Sequence, residues 1–254
     1  MDKLVVMRQS TLEKLIQERA EEMTKEVNRS YEMELLMKQA DIASLQSQIN
    51  PHFLYNTLEC IRGQALKEGS DDIAKITQAL SRFFRYSISK QKNIVTLADE
   101  LANVENYVTI QKYRFRDRFS LRIDIPDEED ILDSAIPKLA LQPILENAII
   151  HGFADRVTGG LITITGYITN DQLSITVSDN GCGMDHTALE RLNEKLRNKD
   201  VSTGGKNGTG IGVQNVDRRL KLLFGDTYGL HISSIPGIGT DVELFLPHTP
   251  YKRV

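Results

Sequence analysis

The sequence predicts an all-α first part followed by an α/β two-layer sandwich with a mixed, largely antiparallel sheet. Three observations lead there. From Leu12 to Ala43 the chain is rich in Glu, Lys, Gln, Met and Leu and holds neither glycine nor proline, the composition of one long helix. Beyond Phe119, apolar and polar residues alternate in "FSLRIDI", "LITITGYIT" and "QLSITVSD", the pattern of strands with one buried face. Helical periodicities lie between these strands, and the glycine-rich "VSTGGKNGTGIG" separates two of them.

Leu12, Ile16, Met23, Met33, Met37 and Ala40 approximate a heptad seam that Arg19, Glu26 and Ser30 interrupt. A two-stranded coiled coil is favoured there over a lone solvated helix. The helix is expected to run through Pro51 to about Lys67, where "EGSDD" breaks it. A second is expected from Asp72 to about Ser87, with Ile73, Ile76, Leu80, Phe83 and Phe84 on its apolar side. Thr96 reads as the N-cap of a third, which reaches about Arg118 with Leu97, Leu101, Val104, Val108 and Ile110 apolar. No strand is expected before Phe119.

After it come the first strand, then a helix from Pro137 to His151 with proline at its favoured first position. A hairpin turns at Asn170-Asp171, and helices follow from Thr187 to about Arg197 and from Val213 to about Phe224. Strands "LHISSI" and "TDVELFLP", joined through "PGIG", close the chain. The expected modules are 1–44, 45–118 and 119–254.

Composition narrows the function classes. Hydrophobic residues make up 40% and charged residues 26%, a globular profile. A net charge of −4 lacks the basic surplus of a nucleic-acid binder, so no nucleic acid is expected as a partner. Two distant cysteines, Cys60 and Cys182, exclude a four-cysteine zinc cluster and fit a reducing compartment. No apolar run approaches the ~20 residues that span a bilayer, and the apolar part of "MDKLVVMRQS" is too short for a signal peptide. A soluble polypeptide is expected.

Four elements of the second half carry chemistry: "LQPILENAIIHG", "VSDNGCGM", "GTGIGVQNVDRRL" and "PGIGTDVELFLP". Asp179 ends a strand at a tight turn, where a carboxylate can accept from the exocyclic amine of a purine. Gly181 and Gly183 lack Cβ atoms and would let the backbone approach a flat base. "GTGIG" offers backbone N–H groups before a helix N-terminus, which favours phosphate. It does not open the first βα unit of a parallel sheet, so the dinucleotide-fold reading fails. Asn147 offers a neutral oxygen to Mg²⁺. Singly these signals are weak, and their order and spacing make them strong.

In that order they resemble the N box, the two glycine boxes and the terminal Gly-Thr hairpin of the Bergerat ATP-binding fold. Histidine kinases, gyrase-type topoisomerases, Hsp90 chaperones and MutL proteins share it. The resemblance covers about residues 119–248. It implies that ATP and Mg²⁺ are cofactors, that Asn147 coordinates Mg²⁺ and that Asp179 holds adenine. It also implies that Gly208, Gly210 and Gly212 meet the phosphates and that Thr240 lies near the base. Residues 185–207 would form a mobile lid hinged at Gly204 and Gly205. His151 is expected near the phosphates. The more widespread pattern has a lysine at the place of Ile150, which puts that phosphate contact in doubt. ATP-hydrolysing branches carry a water-activating glutamate one turn before the asparagine. Here Pro143 stands there, and Glu146 lies about 100° around the helix, so transfer to a protein nucleophile is the better reading.

The candidate nucleophile is His52, in "QINPHFLYNTL". At roughly 100° per residue, Asn56 and Glu59 fall beside it, while Leu54, Leu58, Ile61 and Ala65 fall opposite. A solvent-facing imidazole suits nucleophilic work near neutral pH. No second His, Cys or Asp stands at i+3 or i+4, so a metal site is disfavoured. Pro51, His52, Phe53, Tyr55 and Asn56 resemble the phosphoacceptor region of the LytS/YesM-like sensor histidine kinases, over about residues 45–130. That resemblance implies that His52 attacks the γ-phosphate of ATP and passes the phosphoryl group to an aspartate on a response regulator receiver domain. Phe53 replaces the acidic neighbour of commoner kinases. Glu59 is the substitute base considered, against a solvated charge. Asn56 would position water in the reverse reaction.

The resulting expectation is the cytoplasmic core of a membrane-anchored sensor kinase and a homodimer. It comprises a coiled-coil signalling helix (1–44), a dimerisation and phosphoacceptor region (45–118) and an ATP-binding domain (119–254). The membrane is reached only through a sensor region N-terminal to this chain. Two rivals remain, an ATP-hydrolysing clamp and a nucleotide-binding scaffold that transfers nothing. His186, His231 and His248 are expected at the surface, and Arg218 and Arg219 on a solvated helix face.

Overall fold

The computed structural model of the chain describes residues 51–89, 93–116, 118–126, 129–154, 156–197 and 211–251. The expected coiled coil of residues 1–44 lies outside them. The chain divides into two units, Met1–Leu54 and Tyr55–Val254, and the sandwich lies wholly in the second.

Helix α1 spans Pro51–Lys67 and α2 spans Asp71–Ile88. Between them Gly69 adopts φ +69°. The N–H of Ser70 donates to Ala65 O at 2.8 Å and that of Gly69 to Leu66 O at 3.3 Å, the pair of bonds that ends a helix at a left-handed glycine. In α2 the fully buried side chains are the small ones, Ala74, Thr77, Ala79 and Ser81. Ile73, expected on the apolar side, is 43% exposed, and Ile76, Leu80, Phe83 and Phe84 are half-buried. Close helix approach needs small residues at the contact, which moves the larger ones to its flanks.

Helix α3, Leu97–Phe115, starts at Thr96 as expected. Thr96 Oγ1 accepts from Asp99 N–H at 3.0 Å, and Asp99 Oδ2 accepts from Thr96 N–H, a reciprocal cap. The rings of Phe83 and Tyr107 lie 5.8 Å apart and join α2 to α3.

Two expectations fail in this region. Strand β1, Ile94–Thr96, precedes Phe119 and pairs antiparallel with β3, Ala135–Pro137. Its three residues are all β-branched, which favours extended backbone. The helix expected from Pro137 therefore cannot start there. The chain turns through Leu139 at φ +59° and enters α5, Gln142–Asn147, with Pro143 in the first turn. A wider π-type turn, Ala148–Gly152, follows. The short α4 is Glu129–Leu132.

The main sheet comprises β2 (Phe119–Asp124), β4 (Gly160–Thr169), β5 (Gln172–Asp179), β6 (Gly229–Ile235) and β7 (Gly239–Pro247). Its strand order is β2-β4-β5-β7-β6; β2 and β4 are parallel and every other pair antiparallel. Asn170 and Asp171, at φ +50° and +60°, make the two-residue turn between β4 and β5 that such residues favour. Helices α6 (His186–Arg197) and α7 (Ile211–Phe224) complete the helical layer. Register sets a buried cross-strand row, Ile164–Val177–Val242–Ile232. One hydrophobic core includes this row together with Leu97, Leu101 and Val104 of α3.

Candidate nucleotide-binding site

Two residue pairs beyond that apolar row, the same register aligns Asp179 with Thr240, and Thr240 with Ser234. Because side chains alternate, these residues share the helix-facing side of the sheet with Val177 and Val242. Asp179 and Thr240 open onto a cavity of about 390 Å³. The sheet supplies Val177, Asp179, Ile232, Thr240 and Val242; α5 and the turn after it supply Ile144, Asn147, Ala148, His151 and Gly152. The two distant motifs "LQPILENAIIHG" and "VSDNGCGM" thus meet in space.

Asp179 Oδ1 accepts from Gly181 N–H at 2.8 Å. Burial raises its carboxyl above the usual range, opposed by hydrogen bonds from the backbones of Gly181 and Thr240. Thr240 Oγ1 shares a hydrogen bond with Ser234 Oγ at 2.9 Å, and Ser234 Oγ donates to Gly239 O at 2.8 Å. This corner of the cavity is therefore held by its own polar network.

The glycines were expected to admit a flat base. The structure adds a packing requirement at both positions. A Cβ on Gly181 would stand 2.5 Å from Gly152 O, and one on Gly183, at φ +65°, 2.1 Å from Ile235 O. The space is filled by backbone of the same chain, because the turn after β5 interlocks with the β6–β7 turn. Cys182 N–H donates to Gly152 O at 2.8 Å and Gly237 N–H to Cys182 O at 2.7 Å. Gly239, at φ +147°, would put a Cβ 1.8 Å from Asp179 O. Gly239→Ala is expected to destabilise the unit by more than about 3 kcal/mol. That corresponds to a fall in unfolding midpoint of at least roughly 6 °C for a domain of this size. Gly237→Ala, at φ +76° with nothing within 4 Å, should cost only about 1 kcal/mol. Thermal unfolding of the two variants side by side checks the contrast.

Asn147 is the last residue of α5 and half-buried. His151 is exposed and follows within the π-type turn, a distortion frequent at functional sites. Ile150 is 46% exposed. Among the described residues no cluster of three or more His, Cys, Asp or Glu could hold a metal by itself. A single amide oxygen beside the phosphates of a nucleotide fits Mg²⁺, which retains water and phosphate ligands. Glu146 is exposed and does not line the cavity. Asp179 is the one carboxylate among the cavity-lining residues described.

Residues 198–210, with Gly208 and Gly210, lie outside the described residues, as do Gly204 and Gly205. Gly212 is described; a Cβ on it would come 3.1 Å from Pro143 Cβ. Val213, in the first turn of α7, lines the cavity, so this helix begins at its wall with its amide-bearing end. The first part of the segment 185–207 is α6, the helix expected from Thr187 to about Arg197. Leu189, Leu192 and Leu196 of α6 pack on the core, and Asn193 Nδ2 donates to Ile232 O. An apolar stripe docks this stretch as a helix on β6. Its opposite edge brings Arg191 and Lys195 to the cavity, two cations that periodicity alone did not mark, because only the docking direction turns them inward.

Arg219 also departs from expectation. It is half-buried, its Nε has no partner among the described residues, and burial lowers its pKa while Glu100 opposes that shift. His248 is half-buried with Nδ1 3.1 Å from Ser134 Oγ, held by the pairing of the C-terminal segment with Ser134. His186 and His231 are exposed as expected.

On α1, His52, Asn56 and Glu59 are exposed and Leu58 and Ala65 buried. Arg62 binds Glu59 Oε2 through two nitrogens, each at 2.9 Å.

A mixed sheet under three helices, with an acid–threonine corner facing an asparagine on a short helix, defines a nucleotide-binding module of the Bergerat type. Residues 133–250 match the family model "Histidine kinase-, DNA gyrase B-, and HSP90-like ATPase", and residues 40–119 match that of "Histidine kinase". Sensor histidine kinase YesM of Bacillus subtilis is 40% identical over 216 residues, 85% of this chain and 35% of that protein. Sensor protein LytS of Staphylococcus haemolyticus is 34% identical over 219 residues, 86% of this chain and 36% of that one. A solved histidine kinase domain, from the Erythrobacter litoralis EL346 blue-light activated histidine kinase, aligns with a TM-score of 0.44 at 20% identity, covering 81% of this chain and 89% of that one. The chain belongs to the histidine kinases, in the LytS/YesM-like group. It spans about a third of the length of the curated relatives it matches.

Proposed function

We propose that the chain transfers the γ-phosphoryl group of ATP to His52 and then to an aspartate in the receiver domain of a response regulator. The observation that carries this reading is the cavity itself. It joins the Asp179–Thr240 corner to Asn147 and His151, and the carboxylate it offers is committed to that corner, leaving none among the described lining residues placed to activate water.

Asp179 accepts from the exocyclic amine of adenine. Asn147 holds Mg²⁺ through its amide oxygen. Bound there, the ion would neutralise charge on the phosphates. Arg191, Lys195 and the first amides of α7 add positive potential. A ring nitrogen of His52 attacks the γ-phosphorus; the bond to the bridging oxygen breaks and ADP leaves with the electron pair. The ring proton passes to solvent or to Glu59, of which Arg62 takes Oε2. Asn56 positions water for the reverse, phosphatase reaction. Two copies pair through the hairpin of α1 and α2. Exposed Ile61, Leu66 and Ile73 support a four-helix bundle, where such residues become core. Residues 1–44 relay the signal, 45–118 carry acceptor and dimer contacts, and 119–254 bind ATP. The relatives are named as sensors, which supports a cytoplasmic catalytic portion joined to the membrane through an N-terminal sensor region. Among the described residues no helix is long and apolar enough to cross a membrane.

Incubation with γ-labelled ATP and Mg²⁺ tests the reading. Protein-bound label that survives base and is lost in acid is expected. Rapid phosphate release without bound label would favour the hydrolysing clamp, and tight ATP binding with neither would favour the scaffold.

A further inference from the structure

We propose that Tyr86 and Glu100 form a positioning latch, through which the end of α2 sets the helix that carries Asn147. The proposal rests on the reading of Asn147 as the metal-holding residue.

Glu100 is fully buried on α3. Its carboxylate accepts from the N–H groups of Leu139 at 2.5 Å, Ala140 at 3.0 Å and Leu141 at 3.3 Å. These amides head α5, whose first turn closes on Leu141 O through Ile144 and Leu145. The N-cap residue is Leu141, which has no side-chain oxygen, and α5 has no side-chain cap from its own N-cap. Glu100, some 40 positions away in sequence, supplies that cap. The left-handed Leu139 turns successive N–H groups toward one anion. Such a conformation costs about 1–2 kcal/mol for a side chain with a Cβ. Charge-assisted hydrogen bonds to a buried carboxylate offset that cost.

Tyr86 enters from α2. Its hydroxyl donates to Glu100 Oε1, the oxygen that also holds Leu139. Lys138, in the same turn, lies 5.2 Å from the centre of the Tyr86 ring. Its Nζ donates to Ser89 O at 2.8 Å and Ser89 Oγ at 3.0 Å, just past the end of α2. The end of α2 is thus gripped twice by the turn that launches α5. From its cap to Asn147, α5 is six residues long, roughly 9 Å of rigid helix at 1.5 Å per residue. A displacement of α2 therefore reaches Asn147 with little loss.

The surroundings leave room for a second arrangement. Both amide atoms of Asn103, one turn from Glu100 on α3, are buried with no partner among the described residues, as are Gln142 Oε1 and Arg219 Nε. Of these, Arg219 lies close enough for its charge to act on Glu100, so the carboxylate has an alternative partner that an apolar core would lack.

The test is a double-mutant cycle read by calorimetric titration with ADP, with and without Mg²⁺. Tyr86→Phe keeps the ring and removes one O–H. It is expected to leave metal-free ADP affinity within twofold and to reduce the gain from Mg²⁺ by tenfold or more. Added to Asn147→Ala, it should cost nothing further, because both act through one residue. Glu100→Gln, similar in shape, should repeat the pattern. Unaltered metal dependence in Tyr86→Phe, with Asn147→Ala impaired, retires the latch alone. So does equal loss with and without metal, or additivity in the double variant. A silent Asn147→Ala retires the reading of Asn147, and the latch with it.

Discussion

Replacing His52 with glutamine is expected to abolish the acid-labile label, a loss of at least about a thousandfold, while ATP still binds. Glutamine approximates the size and hydrogen bonding of imidazole but has no nucleophilic ring nitrogen. His52 is exposed on α1, so the change should alter stability by no more than about 0.5 kcal/mol. Equal nucleotide affinity in the two proteins, by calorimetry, would confirm that only transfer was removed. Label that persists at the wild-type level would place the acceptor elsewhere.

Asp179→Asn is expected to weaken nucleotide binding about a hundredfold, or about 2.7 kcal/mol. The carboxylate ends a strand inside the cavity and keeps its position through Gly181 and Thr240. An amide in its place weakens a charge-assisted hydrogen bond to the ligand amine. At a nucleotide concentration a hundred times the wild-type Kd, ligand-induced stabilisation should fall from about 2.7 kcal/mol to below about 0.5 kcal/mol. Burial raises the Asp179 carboxyl, so its folded-state pKa exceeds the unfolded one. Its contribution to stability is then fully present below the unfolded pKa and is lost as pH rises through the folded one. On the proposed role of Asp179, the nucleotide needs the ionised form. Acidification should therefore weaken binding before an ordinary surface aspartate would protonate, and this pH dependence should vanish in Asp179→Asn. Titrations at several pH values read both effects. Retained affinity in the variant would remove Asp179 from base recognition.

The same two residues show how far the sequence could be read. His52 was legible because α1 is a local structure: a 100° step places Leu58 and Ala65 opposite it without reference to any other element. Asp179 was legible as a strand end beside a glycine turn, but its true neighbours were not. At Gly181, Gly183 and Gly239 a Cβ would meet backbone from other turns of the chain, contacts that no local pattern announces. The helix expected at Pro137 failed for a related reason. Proline suits a first helical turn, yet it also tolerates an edge strand, and the pairing with Ile94 decided between them.

What the sequence determined by itself is whatever a few neighbouring residues settle: the five strands of the main sheet and their faces, the Asn170-Asp171 turn, the Thr96 cap, the outward side of α1 and the motifs of the nucleotide site. Tertiary structure alone decided the partners of the buried polar groups. It set Glu100 on the head of α5, sank Arg219 toward it, and turned Arg191 and Lys195 into the cavity by docking α6. The physical reason is that periodicity and capping are local. A buried charge is satisfied by whichever donors the fold delivers to it, in this case from amides some 40 residues further along the chain.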